Sequence, residues 1–132
     1  MKEFFAGPAH VAIYTKDIEE SVAFYEKLGG TTICRSVREL PEGPKYLALV
    51  DFGGMPLELT QCPYEMPFDE GVCAHYGIYV TDIEAAAAAI RAAGVDTFTT
   101  PAKRTVPELF GGHYVWFFVG PSGEQIELMQ KM

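Results

Sequence analysis

The sequence predicts an α+β fold of two tandem β-α-β-β-β modules, and three observations predict it. One stretch occurs twice. Ala9-His10-Val11-Ala12-Ile13-Tyr14-Thr15-Lys16-Asp17-Ile18-Glu19 returns as Ala74-His75-Tyr76-Gly77-Ile78-Tyr79-Val80-Thr81-Asp82-Ile83-Glu84. At a constant offset of 65, seven of the eleven positions are identical, where ordinary composition gives about one. A second pair matches at an offset of 69: Leu57-Glu58-Leu59-Thr60-Gln61 resembles Ile126-Glu127-Leu128-Met129-Gln130. Each copy also passes from a two-residue to a helical apolar period behind a capping residue.

In the first copy, Val11, Ile13 and Thr15 alternate with His10, Ala12 and Tyr14, the pattern of a strand. Asp17 stands at an N-cap position with Glu20 three residues on. The following helix runs to about Leu28, with Val22, Phe24, Tyr25 and Leu28 as its apolar face, and Gly29-Gly30 ends it. Thr31 to Val37 is rich in β-branched residues and reads as a strand. Residues 39 to 44 carry two prolines and a glycine and read as a loop. Tyr46 to Phe52 and Met55 to Cys62 are strands about a Gly53-Gly54 turn. The breakers Pro63, Pro67 and Gly71 mark a linker over residues 63–73.

The second copy repeats the order. Ala74 to Val80 is a strand, and Asp82 caps a helix through Ala93 that is rich in small alanines. Gly94 ends it. Val95 to Thr99 is expected as a strand and Thr100 to Gly112 as a long loop. His113 to Val119 and Glu124 to Gln130 are strands about a Pro121-Ser122-Gly123 turn. The modules thus span residues 9–62 and 74–130 of one domain, 1–132.

Composition narrows the function classes. The chain has 132 residues, 48% of them hydrophobic, and a net charge of −8. That charge argues against nucleic acid or an anionic membrane as a partner. No stretch is long and apolar enough to span a bilayer. The first eight residues lack the apolar core of a signal peptide. Cys34, Cys62 and Cys73 are odd in number and lack metal-binding spacing. The expectation is a cytoplasmic protein with reduced, packing cysteines.

Strand alternation sorts the chemistry. His10, Ala12 and Tyr14 share one face, as do His75, Gly77 and Tyr79. Glu58 and Thr60 point away from the helices, and so do Gln125, Glu127 and Met129. Both histidines and both glutamates therefore fall on the face opposite the helices, and a pseudo-two-fold repeat sets them about one centre. A lone strand histidine is more often structural than a ligand, and a lone strand glutamate is usually solvated. Four such residues, paired by a repeat and sharing a face, form a site for one divalent metal ion. Their mixed nitrogen and oxygen donors suit nickel, cobalt, zinc, manganese or iron. His113 lacks a counterpart and reads as a loop-end or pocket residue.

Paired modules, each opening on a histidine and closing on a glutamate, resemble the vicinal oxygen chelate superfamily. It includes glyoxalase I (lactoylglutathione lyase), methylmalonyl-CoA epimerase, fosfomycin- and bleomycin-resistance proteins and ring-cleaving dioxygenases. The segments that carry the resemblance are His10–Ile13, Ser21–Gly29, Leu57–Leu59 and Gly120–Leu128. It implies a curved mixed sheet around a metal cleft, with the helices outside. His10, Glu58, His75 and Glu127 match the glyoxalase I ligand set, and Glu58 tilts towards glyoxalase I, because the epimerase often has glutamine there. In glyoxalase I relatives the site is shared between subunits, so the resemblance also implies a homodimer; the two modules could close one site within a chain or pair across the dimer.

Two positions depart from the glutathione-using pattern: Tyr14 stands where those members place arginine, and Cys62 replaces an asparagine. Lys103 and Arg104 are candidates to hold an anionic tail instead. Glu42 lies where the epimerase supplies an acid–base carboxylate. The expected reaction removes a proton next to a carbonyl of a small-molecule substrate such as a thiol–aldehyde adduct. Glu127 is the expected base, with Glu58 on the opposite face. Tyr14, Tyr79 and Met129 are expected to line the pocket, with Trp116 and Phe118 if their strand faces that way. The alternatives are an epimerase-like isomerase and a non-catalytic binder of the bleomycin-resistance type.

Overall fold

A computed structural model describes residues 1–27, 29–67, 69–121 and 125–132. Leu28 on the expected helix face, Ser122 and Gly123 of the expected last turn, and Glu124 lie outside the described residues. After a 3-10 turn at Lys2–Phe4, the first module runs β1 (Phe5–Tyr14), α1 (Ile18–Lys27), β2 (Thr31–Leu40), β3 (Gly43–Phe52) and β4 (Met55–Gln61). The second runs β5 (Cys73–Val80), α2 (Ile83–Ala92), β6 (Arg104–Val106), β7 (His113–Val119) and β8 (Gln125–Lys131).

All eight strands form one mixed sheet in the order β2-β3-β4-β1-β5-β8-β7-β6. Within each module the first and last strands run parallel, β1 with β4 and β5 with β8, while the modules meet antiparallel through β1 and β5. The pseudo-two-fold of the repeat therefore passes between the two strands that carry the histidines.

Each helix covers the sheet of its own module. Ile18 and Val22 of α1 pack on Ala48, Val50 and Leu59. Ile83, Ala86, Ala87 and Ile90 of α2 pack on Val80, Trp116 and Leu128. The alanines let α2 lie close to the strands. Both N-termini are capped twice. Asp17 Oδ1 accepts from Glu20 N at 3.1 Å, and Asp82 Oδ1 from Ala85 N at 3.0 Å. Gln61 Oε1 accepts from Ile18 N at 2.9 Å, and Gln130 Oε1 from Ile83 N at 2.8 Å. The matching glutamines tie the last strand of each module to its helix.

Several expectations are corrected. Phe24 points to solvent, 55% exposed, because Ile18, Val22 and Tyr25 form the packed stripe of α1. β2 and β3 run through the expected loop and leave only Pro41 and Glu42 as the turn. The strand expected at Val95 to Thr99 is reduced to a single bridge, Phe98 to Phe118. Its place at the sheet edge goes to β6, inside the expected long loop. Proline has no N–H to give a ladder, and Pro101 stands where this edge divides. Cys73 is exposed rather than packed, and among the described residues no cysteines pair.

The long loop of the second module does more than connect. Val106 and Leu109 pack on Leu47 of β3, together with Ala9, Val115 and Met129. Phe110 N donates to Ser36 Oγ at 2.8 Å, and Arg38 pairs with Glu108 at 3.1 Å. The loop thus crosses from one edge of the sheet to β2 at the other, over the face away from the helices.

Candidate metal centre

His10, Glu58, His75 and Glu127 lie on β1, β4, β5 and β8, the four central strands. Register places them in two cross-strand rows, Glu58–Ala12–His75 and His10–Gly77–Glu127. Each row has a histidine, a glutamate and a small residue between them. Cross-strand neighbours share a face, so the small residue leaves room above it for the four larger side chains.

A β-bulge aims His10. Pro8 pairs with Ile78 and His10 with Gly77, so Ala9 is an extra residue in β1. Ala9 packs with Met129 and Val115 while His10 joins the quartet, which places two successive residues on one face as a bulge does. The His10 ring then rests on Gly77. A Cβ at Gly77 would lie 2.8 Å from His10 Cε1 and 3.0 Å from its Nδ1. Only glycine fits there.

One ligand atom from each of the four residues lies within 4.8 Å of the others. His10 Nε2 is 2.9 Å from His75 Nε2, 2.9 Å from Glu127 Oε2 and 3.4 Å from Glu58 Oε2. His75 Nε2 is 3.2 Å from Glu127 Oε2 and 3.8 Å from Glu58 Oε1. Donors about 2.1 Å from a shared ion sit about 3.0 Å apart at right angles and about 3.4 Å apart in a tetrahedron. The spacing matches. Glu127 Oε2 is also buried and makes no hydrogen bond despite the two nearby nitrogens, an orphan that protein groups rarely leave. The donor set, its burial and the orphaned oxygen fit a divalent metal ion.

Electrostatics agree. Burial pushes the His10 imidazole down, but the Glu58 and Glu127 charges outweigh it and raise its pKa. Burial pushes the Glu127 carboxyl up, yet the His10 and His75 imidazoles beside it hold it below its usual range. Four ionisable groups, three of them buried and His75 partly so, are costly unless neutralised together. Thr60 Oγ1 donates to Glu58 Oε1 at 3.4 Å, and Phe117 stands edge-on to His75 at 5.1 Å.

The other expected site residues divide. Tyr14 lies beside the centre; burial first, then Cys62, Glu58, Tyr64 and Glu127, push its phenol up, so it stays protonated. Tyr79 and Met129 are on the same face, Met129 within its apolar packing. Arg104 stands over Phe117, 5.9 Å from the ring centre. Two expectations are corrected. Trp116 is buried against Ile83, Ala86 and Leu128 on the helix side, its Nε1 donating to Thr100 O at 3.1 Å. Phe117, paired with Glu127, takes the inward position. Lys103 turns outward: its Nζ is 3.2 Å from Glu84 of α2 and 4.4 Å from the Tyr114 ring centre. His113 is buried, its Nδ1 donating to Leu109 O at 2.8 Å and its Nε2 3.3 Å from the Tyr79 hydroxyl.

All four candidate ligands come from one chain. The quartet closes within this chain, one of the two arrangements the sequence left open. Sequence reasoning missed Gly77, Phe117 and the helix-capping glutamines. A small residue two positions after each histidine was the available signal for the first.

Comparison with known proteins agrees with the fold. No curated protein matches the sequence significantly. Methylmalonyl-CoA epimerase from Mycobacterium tuberculosis superposes with a TM-score of 0.83 at 17% identity, covering 100% of this chain and 92% of that one. A second methylmalonyl-CoA epimerase structure gives 0.79 at 21% identity, covering 98% and 97%. An E144Q mutant of glyoxalase I from Zea mays gives 0.62 at 19% identity, covering 98% of this chain and 45% of that one, so this chain spans about half its length. The model of one family matches residues 7–128, and the chain belongs to that family, the Glyoxalase/Bleomycin resistance protein/Dioxygenase superfamily.

Proposed function

We propose that this protein is a metal-dependent enzyme that moves a proton between carbons next to a carbonyl, with glyoxalase I-like isomerisation of a thiol–aldehyde adduct as the first substrate class. The observation that carries the reading is the quartet itself: two imidazoles and two carboxylates, all but His75 fully buried, converging within 4.8 Å. A sequestering cleft has no need of such a cage, which speaks against the bleomycin-resistance type of binder.

His10, Glu58, His75 and Glu127 would hold one divalent ion, which supplies Lewis-acid stabilisation of negative charge developing on the carbonyl oxygen. Glu127 is the proposed base. Glu127 would act as base while loosely held by or displaced from the ion, whose charge lowers a ligating carboxyl; burial works the other way and raises the carboxyl towards the strength a base needs. In the adduct, Glu127 takes the proton from the carbon bearing sulfur and returns it to the neighbouring carbon. One carbon is oxidised and the other reduced, so no co-reactant is required. Glu58 stands on the other side of the centre as the alternative base. Tyr14, Tyr79, Met129 and Phe117 wall the site, and Arg104 stands over the Phe117 ring.

The second reading, a methylmalonyl-CoA epimerase-like isomerase, is supported by the assembly of the quartet within one chain and by the near full-length likeness to two structures of that enzyme. The same base chemistry serves it, with the proton returned to the carbon it left. A homodimer remains part of the proposal. Activity of the metal-loaded protein on hemithioacetals of several thiols, beside methylmalonyl-CoA, separates the readings. Elemental analysis should give about one divalent ion per chain, lost in His10→Ala. A protein that binds no metal and turns over neither class would overturn the proposal.

A further inference from the structure

The quartet has an open side and a packed side. On the Tyr79 side, Val106, Leu109, Val115 and Met129 fill the concave face. At the Tyr14 end, a cavity of about 680 Å³ opens beneath the segment that joins the modules, within the range of small-molecule sites. Tyr14 belongs to both places. It lines the cavity, and on β1 it stands two residues beyond Ala12 of the quartet's row, on the same face of the sheet. A substrate whose reacting carbons sit at the quartet would extend its remainder here.

The walls are aromatic and apolar through Tyr14, Tyr64 and Met66, and the lining carries Glu65, Asp69 and Glu70 against one cation, Lys16. Arg38, whose charge also reaches Tyr64, is engaged by Glu108 at 3.1 Å, and Glu42 reaches Tyr64 too. Arg104 does not offset this charge, because β6 is the opposite edge strand of the sheet from β2 and lies four strands from β1. The geometry points to a substrate whose non-reacting arm is cationic or neutral, an aminothiol-type arm rather than one bearing carboxylates or phosphates. Aromatic faces and carboxylates together recognise an ammonium group, and a cleft lined by one sign of charge repels its like.

This inference rests on the metal-dependent reading for its kinetic test but not for its binding test. Thiocholine, whose quaternary ammonium cannot close on the aldehyde, 2-mercaptoethanol and 3-mercaptopropionate differ in charge. With methylglyoxal adducts of the three and metal-loaded protein at low salt, kcat/KM should favour the thiocholine adduct over the mercaptopropionate adduct by about tenfold. The ratio should shrink with added salt and fall towards one in the Glu65→Gln, Asp69→Asn, Glu70→Gln triple variant. The S-benzyl thioethers of the same thiols, titrated into the metal-loaded protein, read the cavity without turnover. The same order in binding with no turnover of any adduct would sink the reaction class and leave the cavity's preference standing. An anionic thiol bound or turned over as well as the cationic one, or a ratio unmoved in the triple variant, would overturn the inference.

Discussion

In the first module the small residue between the ligands of its row is Ala12, and in the second it is Gly77. The two rows are otherwise equivalent, each with a histidine from one module and a glutamate placed by parallel pairing. The bulges match as well, Ala9 before His10 in β1 and Ala74 before His75 in β5. The difference lies in the seat itself: the His10 ring rests on Gly77, where a Cβ would come within 2.8 Å of it, whereas the row of His75 holds the Cβ of Ala12. A second difference lies further out. Tyr79 is stacked on His113 under the long loop of its module, whereas Tyr14 borders an open cavity. The repeat supplies a symmetric set of donors, and departures from it decide which side substrate enters.

The largest effect that tests this comparison is on the two glutamates. Glu127→Gln should lower kcat by about 10³-fold, within the range for losing a general base. Glu58→Gln should act mainly through weaker metal binding and cost about tenfold, partly restored by excess metal. Single-turnover rates and metal stoichiometry on both variants measure it. Equal losses would make the modules equivalent in catalysis, and a reversed order would make Glu58 the base.

The small residues come next. Gly77→Ala should weaken metal affinity by about 10- to 100-fold, the scale for disturbing a ligand's support, because the new Cβ must displace His10. Ala12→Gly opens space without a clash and should cost only about 0.5–1 kcal/mol of stability with metal affinity retained. Calorimetric titration of the metal into both folded variants makes the comparison. Equal affinities would show that the His10 seat tolerates a methyl group.

Much of the centre was legible because two regularities coincide. A repeat at nearly constant offset pairs the residues, and strand parity assigns their face, so His10, Glu58, His75 and Glu127 follow without coordinates. Parity works only inside a strand whose register is known. Trp116 and Phe117 are neighbours, and the one that faces the centre depends on how β7 pairs with β8, which no local pattern states. Lys103 was lost for a related reason: it belongs to a loop, where there is no period to read, and Glu84 on α2 draws it outward. The edge strand was misplaced because Val95–Thr99 has β-favouring residues while the pairing is settled by the tertiary position of Arg104–Val106. The bulge at Ala9 leaves no mark in the sequence, since alanine is ordinary in a strand.

The smallest effect concerns a feature the modules share. Gln61 and Gln130 each accept a hydrogen bond from the first backbone N–H of their helix, at 2.9 and 2.8 Å. That N–H has no partner within the helix, so Gln61→Ala and Gln130→Ala should each lower stability by about 1 kcal/mol. Urea unfolding of the metal-free protein reads this without interference from ligand linkage. The bonds are equivalent in length and partner, so equal losses are expected. A markedly larger loss for Gln130→Ala would mean that the second helix, whose alanines bring less apolar surface to the sheet, depends more on its cap than the first. The equivalence of the modules would then stop at the donors around the metal.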